Sequence, residues 1–302
     1  MQDFVQTDLI YMTMAGSIMF GTNTPESDVD KRGICVPPKN YLLGFARNFE
    51  QQEVSGEDTV IFALKKFMQL ACEGNPNYLE ILFAPDECVL TEHPTWLELK
   101  KHRTKFLVAE AFPRFMGYAT SQMKRMLSHK EWILHPPTKK PARADYGLPE
   151  KSTGTKELAD EDEISPEIKE TIKQERIYKA DSAQWKQYED WMQTRNPKRF
   201  AIEARIGYDS KNGSHLLRTL RMLKELLLYG EMIVKRPDAK ELLAIRQGEW
   251  SLEKLMDAVD ALRAELNDIY DTKKYVIPHK LDRCEISDLC VELHEFHWKF
   301  SR

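Results

Sequence analysis

The sequence predicts an α+β fold, in which an N-terminal domain with a mixed sheet and helices (residues 1–110) precedes a mostly helical domain (residues 111–302). Two observations support this. Short apolar runs alternate with helical patterns over the first 85 residues, whereas strand patterns fade from Trp96 onward and apolar residues then recur at helical spacing. A chain of 302 residues can also bury at least one substantial core.

Composition excludes several classes of protein. The net charge is −4, so a nucleic-acid-binding surface must be local. No apolar run approaches membrane-spanning length, and the N-terminus lacks the pattern of a signal peptide. The five cysteines are scattered without a CxxC pair, which favours reduced thiols over disulfides or structural zinc. We therefore expect a cytoplasmic protein with no membrane partner; the sequence predicts no oligomeric state.

The first elements are a strand and a glycine-rich turn. Residues 7–14 predict the first strand, and residues 15–30 follow it with the sequence AGSIMFGTNTPESDVD. Gly16 allows close backbone approach, while Ser17 offers a hydroxyl and amide donors at a predicted helix start. Both properties suit a turn that binds phosphate.

Two carboxylates follow this turn. Asp28 and Asp30 are one residue apart, and residues 33–36 continue the apolar pattern, so a strand would project both carboxylates to one face. Converging carboxylates repel unless a divalent cation lies between them. Mg²⁺ prefers oxygen ligands and completes its shell with water and phosphates. We expect two Mg²⁺ ions here, with Mn²⁺ as a substitute.

A strand pair and a helix come next. Residues 50–54 and 59–62 flank Ser55-Gly56 and predict two paired strands. Apolar residues then recur at helical spacing over residues 64–71, and Gly74-Asn75-Pro76 ends that helix. The apolar run at residues 78–83 fits a strand or a buried helical turn.

Two-metal phosphoryl chemistry normally uses a third acid that orients or deprotonates the attacking hydroxyl. Asp58 precedes a strand that can pair beside the strand of Asp28 and Asp30, which makes it our first choice. Glu80 is the alternative, because a lone acid in an apolar run must find a partner. A turn-capping role would explain Asp58 equally simply, and a salt bridge would explain Glu80.

Residues 136–200 differ in character from the rest of the chain. A basic, proline-broken stretch at 136–143 precedes an acidic stretch at 156–170, and no apolar periodicity is sustained. We expect an exposed, partly disordered charged insertion, with regular helices resuming at Ala201.

A helix ending at Gly230 carries two different faces. Four leucines form one stripe: Leu216, Leu220, Leu223 and Leu227. Three basic residues form a roughly opposite stripe: Lys211, His215 and Arg218. A solvated basic face is the ordinary explanation, but the lack of an acid and the presence of histidine favour contact with nucleotide or RNA phosphates. Two further helices are predicted, over residues 252–269 and 287–300.

The ordered set Gly16-Ser17, Gly21-Thr22 and Ser27-Asp28-Val29-Asp30 resembles the signature of the DNA-polymerase-β-like nucleotidyltransferase superfamily. Asp58 with the following strand and helix, then Asn75-Pro76 and Leu79-Glu80, resembles a bacterial and phage group of nucleotidyltransferases associated with RNA-repair operons. Residues 207–249 resemble further blocks of the same group, so the similarity spans roughly residues 10–85 and 203–250.

The resemblance implies Mg²⁺-dependent transfer of a nucleoside monophosphate from an NTP, with ATP favoured, to an acceptor hydroxyl. It implies three catalytic, metal-binding acids and five nucleotide-binding residues: Asp28, Asp30 and Asp58; Gly16, Ser17, Lys211, His215 and Arg218. RNA is the expected acceptor. A protein-modifying (AMPylation-type) transferase and a non-catalytic NTP- or RNA-binding module are the alternatives, and the intact acids argue against the module.

Overall fold

The computed structural model describes residues 4–151 and 165–300, which contain five strands and thirteen α-helices. The strands are β1 (Leu9–Met14), β2 (Lys31–Cys35), β3 (Gln51–Val54), β4 (Thr59–Ala63) and β5 (Val89–Glu92). The helices are α1 (Phe4–Thr7), α2 (Gly16–Phe20), α3 (Lys39–Leu42), α4 (Leu64–Cys72), α5 (Pro76–Leu82), α6 (Pro94–Lys101), α7 (Phe112–Leu134), α8 (Pro166–Thr194), α9 (Pro197–Ile206), α10 (Ser210–Tyr229), α11 (Ala239–Arg246), α12 (Leu252–Asp271) and α13 (Arg283–Phe300). In this described part, no helix is both long and apolar enough to cross a membrane.

The five strands form one mixed sheet in the order β3-β4-β2-β1-β5. The pair β2–β4 is parallel, and the other three pairs are antiparallel. Helices α4 and α6 pack on this sheet and α13 packs on both of them, while α10 packs on α11 and α12. The α+β class, with a mixed N-terminal sheet followed by mostly helical structure, is confirmed.

Two sequence-based boundaries near the site are wrong. The strand expected over residues 7–14 begins at Leu9, because residues 4–7 form α1 and pack into the sheet's core. Strand β2 begins at Lys31, so Asp28 and Asp30 lie in the segment before the strand and not within it.

In the first hundred residues, the sequence left one segment open between strand and helix, and it missed one strand. The run at residues 78–83 falls mainly in α5, where Asn75 caps the helix by accepting from the Asn77 amide (3.1 Å) and Pro76 occupies the first position. Strand β5 is four residues long, mostly exposed and at the sheet edge, so it has no buried apolar alternation to reveal it.

The chain groups into two compact units. Unit 1 comprises Met1–Met126 with Ser210–Arg302, and unit 2 comprises Leu127–Asp209. Unit 1 therefore takes residues from both ends of the chain. The boundary that we drew at residue 110 stays a prediction.

Unit 2 contains helices where the sequence led us to expect an irregular insertion. Helix α8 has 29 residues and α9 begins at Pro197, so the expectation that regular helices resume only at Ala201 is wrong. Among the described side chains of α8, Trp191 alone is buried, which explains the missing apolar periodicity. The part of the expected disordered stretch at 152–164 lies outside the described residues.

A buried charge cluster stabilises unit 2. The carboxylates of Glu203 and Asp209 are fully buried. Asp209 contacts His129 Nδ1 at 2.6 Å and Arg199 Nη2 at 2.5 Å, and Arg195 pairs with both acids. Asp209 belongs to a block that resembles the RNA-repair group, and in this fold it is an internal counter-ion.

Helix α10 has the buried leucine face expected from the sequence, and Arg218 of the opposite basic stripe is buried as well. The leucine stripe is buried, with no more than 1% exposure for any of its four members. Gly230, with φ of 67°, ends the helix in the left-handed conformation. The prediction of this helix and its buried face is confirmed.

Candidate active site

The glycine-rich turn after β1 folds as the short helix α2. Gly16 has φ of 61°, and a Cβ there would overlap Asp30 Oδ2. Gly21 closes the helix with φ of 70°, and the Thr22 amide donates to the Ser17 carbonyl at 2.9 Å. Glycine is therefore required at position 16 both for backbone conformation and for space beside the Asp30 carboxylate.

Strand register brings Asp30 and Asp58 together. Strands β2 and β4 are parallel with Lys31 opposite Thr59, so the residues one position earlier, Asp30 and Asp58, are also neighbours. The backbone confirms this, since the Lys31 amide donates to the Asp58 carbonyl at 2.8 Å and the Ala15 amide donates to the Asp30 carbonyl at 2.8 Å. The parallel pairing thus places two carboxylates at one end of the sheet, beside the α2 turn.

The Asp58 carboxyl group perturbs that of Asp30. The pKa of Asp30 is raised to about 6, first by burial and then by the hydrogen bond and negative charge of Asp58, while Arg32 and Lys211 oppose the rise. Arg32 Nη1 lies 3.6 Å from Asp58 Oδ1. Two carboxylates in contact need a shared proton or a cation at neutral pH.

This pair has the chemistry of a partial Mg²⁺ site. Carboxylate oxygens are the ligands that Mg²⁺ uses, and the Asp30 and Asp58 side chains lie within hydrogen-bonding distance of each other. Asp28 is exposed, and among residues 4–151 and 165–300 no group of three His, Cys, Asp or Glu side chains is close enough to hold a metal ion. The structure therefore joins Asp30 with Asp58 and leaves Asp28 outside this pair.

The N-terminal part of α10 faces the acids. Lys211, in the first turn of α10, is close enough for its charge to lower the pKa of Asp30. Lys211 and His215 are both partly buried. Of the predicted basic stripe, Lys211 is thus the member with an evident electrostatic link to the carboxylates.

Arg218 has a different environment. It is 3% exposed, its Nη1 donates to Glu80 Oε1 at 2.5 Å, and its guanidinium lies over the Phe20 ring at 3.5 Å. Burial raises the pKa of Glu80, while the charge and hydrogen bond of Arg218 oppose that shift. Glu80, our alternative third acid, is thus the counter-ion of Arg218, and Asp58 is the acid beside Asp30.

Two arginines join the α2 turn to the later part of unit 1: Arg246, which the sequence indicated could reach the cleft, and Arg236, which it did not single out. The Arg236 amide donates to the Phe20 carbonyl at 3.1 Å, and Arg246 Nη1 donates to the Thr22 carbonyl at 3.4 Å. Arg32 was also missed, although its position two residues after Asp30 was a usable clue in a strand. For Arg236 and Phe20, which meet only through the tertiary fold, the sequence offered no clue.

The N-terminal part of the chain is similar to a known protein family. Residues 2–140 match the model of a family described as "RNA repair pathway DNA polymerase beta family". This match covers just under half of the chain, and over it the chain is similar to the RNA-repair polymerase β family. The resemblance that we drew from Gly16 to Asp30 and from Asp58 to Glu80 is confirmed over this segment.

The match to individual proteins is narrower. An uncharacterized 38.9 kDa protein from the nrdC-mobD intergenic region of Enterobacteria phage T4 is 30% identical over 122 residues, which cover 36% of this chain and 36% of that protein. No solved structure matches the chain. The family match contains Gly16, Asp30, Asp58 and Glu80, whereas helix α10 lies beyond it.

Proposed function

We propose that this protein is a Mg²⁺-dependent nucleotidyltransferase that transfers a nucleoside monophosphate from an NTP, with ATP favoured, to a hydroxyl of RNA. The observation that carries the proposal is the contact between Asp30 and Asp58 beside Gly16 and Lys211. The similarity of residues 2–140 to the RNA-repair polymerase β family supports nucleotidyl transfer in RNA repair.

Asp30 and Asp58 would hold Mg²⁺ between their carboxylates, and Asp28 would join them from the preceding segment. Bound Mg²⁺ would supply positive charge to the triphosphate and to the two acids. Two carboxylates in contact are a donor set of the kind that Mg²⁺ prefers. Mn²⁺ offers the same preference for oxygen ligands.

The remaining residues orient the nucleotide. Gly16 and Ser17 accommodate the β- and γ-phosphates at the α2 turn, and Lys211 and His215 approach from α10. Because Arg218 is committed to Glu80, we assign it a positioning role that holds α10 against Phe20. Sequence reasoning gave Arg218 a direct nucleotide contact, and the buried ion pair favours this indirect role.

The transfer itself is a displacement at phosphorus. The acceptor oxygen forms a bond to the α-phosphorus, the bond to the β-phosphate oxygen breaks, and pyrophosphate leaves. Asp58, whose side chain is 60% exposed, is placed to accept the proton of the acceptor hydroxyl. Most of the rate enhancement would come from positioning and charge neutralisation.

The test supplies each α-labelled NTP with Mg²⁺ and follows label into RNA or protein. Asp58→Asn should abolish labelling, and Asp257→Asn, an exposed acid on α12, is the matched control. Label in RNA supports the proposal, whereas label in protein would show that the acceptor is a protein and not RNA. Full activity of a folded Asp58→Asn variant, or nucleotide binding without transfer, would contradict it.

A further inference from the structure

A cavity lies in unit 1, between α3, α4 and α13, apart from the candidate active site. Its volume is about 810 Å³, within the range of small-molecule sites. Helix α4 follows β4 directly, so the cavity adjoins the C-terminal end of that strand, whereas Asp58 precedes its N-terminal end. A strand of five residues spans roughly 16 Å, so this cavity is separate from the catalytic acids.

The cavity has an excess of positive charge. Lys39, Lys65 and Arg283 line it, and within the described part of the chain none of them is in an ion pair, whereas Glu295 is the one acid lining it that is likewise without an ion pair. Two more charged lining residues are neutralised internally: Lys66 pairs with Glu50, and Glu73 pairs with Arg114. The remaining cations favour an anionic ligand.

One buried group in the cavity wall lacks a hydrogen-bonding partner. His294 is 2% exposed, and its Nδ1 lies 2.6 Å from the Cys290 carbonyl. A carbonyl only accepts, so Nδ1 carries the proton and Nε2 is an acceptor. Nε2 is buried with no partner among residues 4–151 and 165–300.

Burial lowers the pKa of His294, and the neighbouring His297 and Lys65 lower it further, against a smaller opposing effect of the Cys290 carbonyl. The ring is therefore neutral near pH 7, and Nε2 keeps its lone pair. An unsatisfied buried acceptor is costly, and a small shift of the ring toward the cavity would let a ligand N–H or O–H satisfy it.

An aromatic ring is also held at the cavity. Trp298 Nε1 donates to the Pro37 carbonyl at 3.1 Å, which orients the indole, and Lys39 Nζ lies 5.0 Å from a ring centroid. Apolar side chains including Met68 and Ile286 line the same cavity. A rigid indole beside an apolar wall suits a flat heterocyclic ring, because stacking depends little on ring identity.

We propose that this cavity is a second nucleotide site, in which Lys65 and Arg283 bind phosphate, His294 Nε2 accepts from a base amine or ribose hydroxyl, and Trp298 contacts the base. The nucleotide is either free or part of an RNA strand. The site is additional to the proposed transfer site and does not depend on it.

Binding is measured by isothermal titration calorimetry in EDTA, which weakens triphosphate binding at the catalytic acids. The ligands are AMP, ATP and a short single-stranded RNA, each compared with inorganic phosphate. Lys65→Ala with Arg283→Ala should weaken binding about tenfold or more, since two charge-assisted contacts are lost. Lys280→Ala, an exposed lysine outside the cavity, should bind as the wild type does.

Ser287→Trp provides an independent test, because it places a bulky ring in the cavity from an exposed position on α13. It should block nucleotide binding without unfolding the protein, as circular dichroism would show. Loss of AMP binding identifies a free nucleotide, and loss of RNA binding alone identifies an RNA nucleotide. Unchanged binding in both variants, or equal affinity for inorganic phosphate, would overturn this site and leave the transfer assay unaffected.

Discussion

Gly16 is the residue at which backbone conformation and active-site geometry coincide. Gly16→Ala adds a Cβ at a positive φ and drives it into the Asp30 carboxylate. The left-handed conformation alone costs an alanine about 1–2 kcal/mol. In addition to this loss of stability, displacing Asp30 by about an ångström should lower the transfer rate about 100-fold.

Gly147→Ala is the matched control for Gly16→Ala. Its φ is 66°, but a Cβ there meets nothing within 4 Å, so the alanine bears only the free-energy cost of the left-handed conformation. Urea unfolding and initial transfer rates of both variants separate strain from overlap. Equal loss of stability and activity in the two variants would show that the contact with Asp30 is unimportant.

Asp30 and Asp58 repel each other in the absence of a cation, so catalysis and stability should respond oppositely to Asp30→Asn. We expect this variant to melt at a higher temperature than the wild type in EDTA, because one of two touching charges is gone. Its transfer rate should fall by more than the roughly 100-fold typical of outer-shell metal partners. A lower melting temperature in EDTA would show that the carboxylates do not oppose each other.

At this scale, residue types and spacing predicted Gly16 and the acids but not their arrangement. The contact of Asp30 with Asp58 depends on the parallel register of β2 and β4, which sequence spacing does not determine. We placed Arg218 on a basic stripe that contacts nucleotide or RNA phosphates, because helical periodicity ranks faces only relative to one another. Its burial depends on Glu80, which lies 138 residues earlier in the chain.

At the level of elements, the Glu80–Arg218 pair joins α5 to α10 inside unit 1. Arg218→Met leaves a buried carboxylate without a counter-ion and should destabilise the protein by about 3–5 kcal/mol in urea unfolding. The double variant Glu80→Met with Arg218→Met should recover most of that loss, because both charges are gone. A double variant no more stable than Arg218→Met would rule out this coupling.

The stability of the single variant Arg218→Met should depend on pH. Burial raises the pKa of Glu80, and without Arg218 no positive charge opposes this effect. The folded state of Arg218→Met then binds a proton more tightly than the unfolded state. The stabilisation from that proton is complete below the ordinary glutamate pKa of about 4.3 and is lost as the pH rises through the raised pKa. Unfolding free energies between about pH 8 and pH 5 should therefore increase toward the lower pH.

Most elements that sequence patterns predicted have a buried apolar face; β3, which was predicted from its pairing with β4, has no buried residue. Helices α4, α10 and α12 have apolar stripes, and β4 has a buried apolar run. Strand β5 and helix α8 lack such a face, and both were missed. For α8, the capping serine Ser165 and the following Pro166 were local start signals that composition obscured.

For the molecule as a whole, unit 1 is assembled from two separated parts of the chain. A fragment of residues 1–110, the catalytic domain that we drew from the sequence, lacks α10 and α13, which cover Phe20, Glu80 and α4. We expect this fragment to lack a cooperative thermal transition, because its apolar surfaces and Glu80 stay uncovered. A sharp transition with native-like circular dichroism would instead support the boundary at residue 110.

Because 138 residues separate Glu80 from Arg218, the two partners of this ion pair are synthesised at different times. Ribosomes add about 5–20 residues per second, so roughly 7–28 s pass between the appearance of the two residues. Throughout that interval Glu80 lacks the Arg218 guanidinium, so we expect it to stay hydrated and α5 to remain open to water. We therefore expect the N-terminal part of unit 1 to complete its packing only after Arg218 has been made.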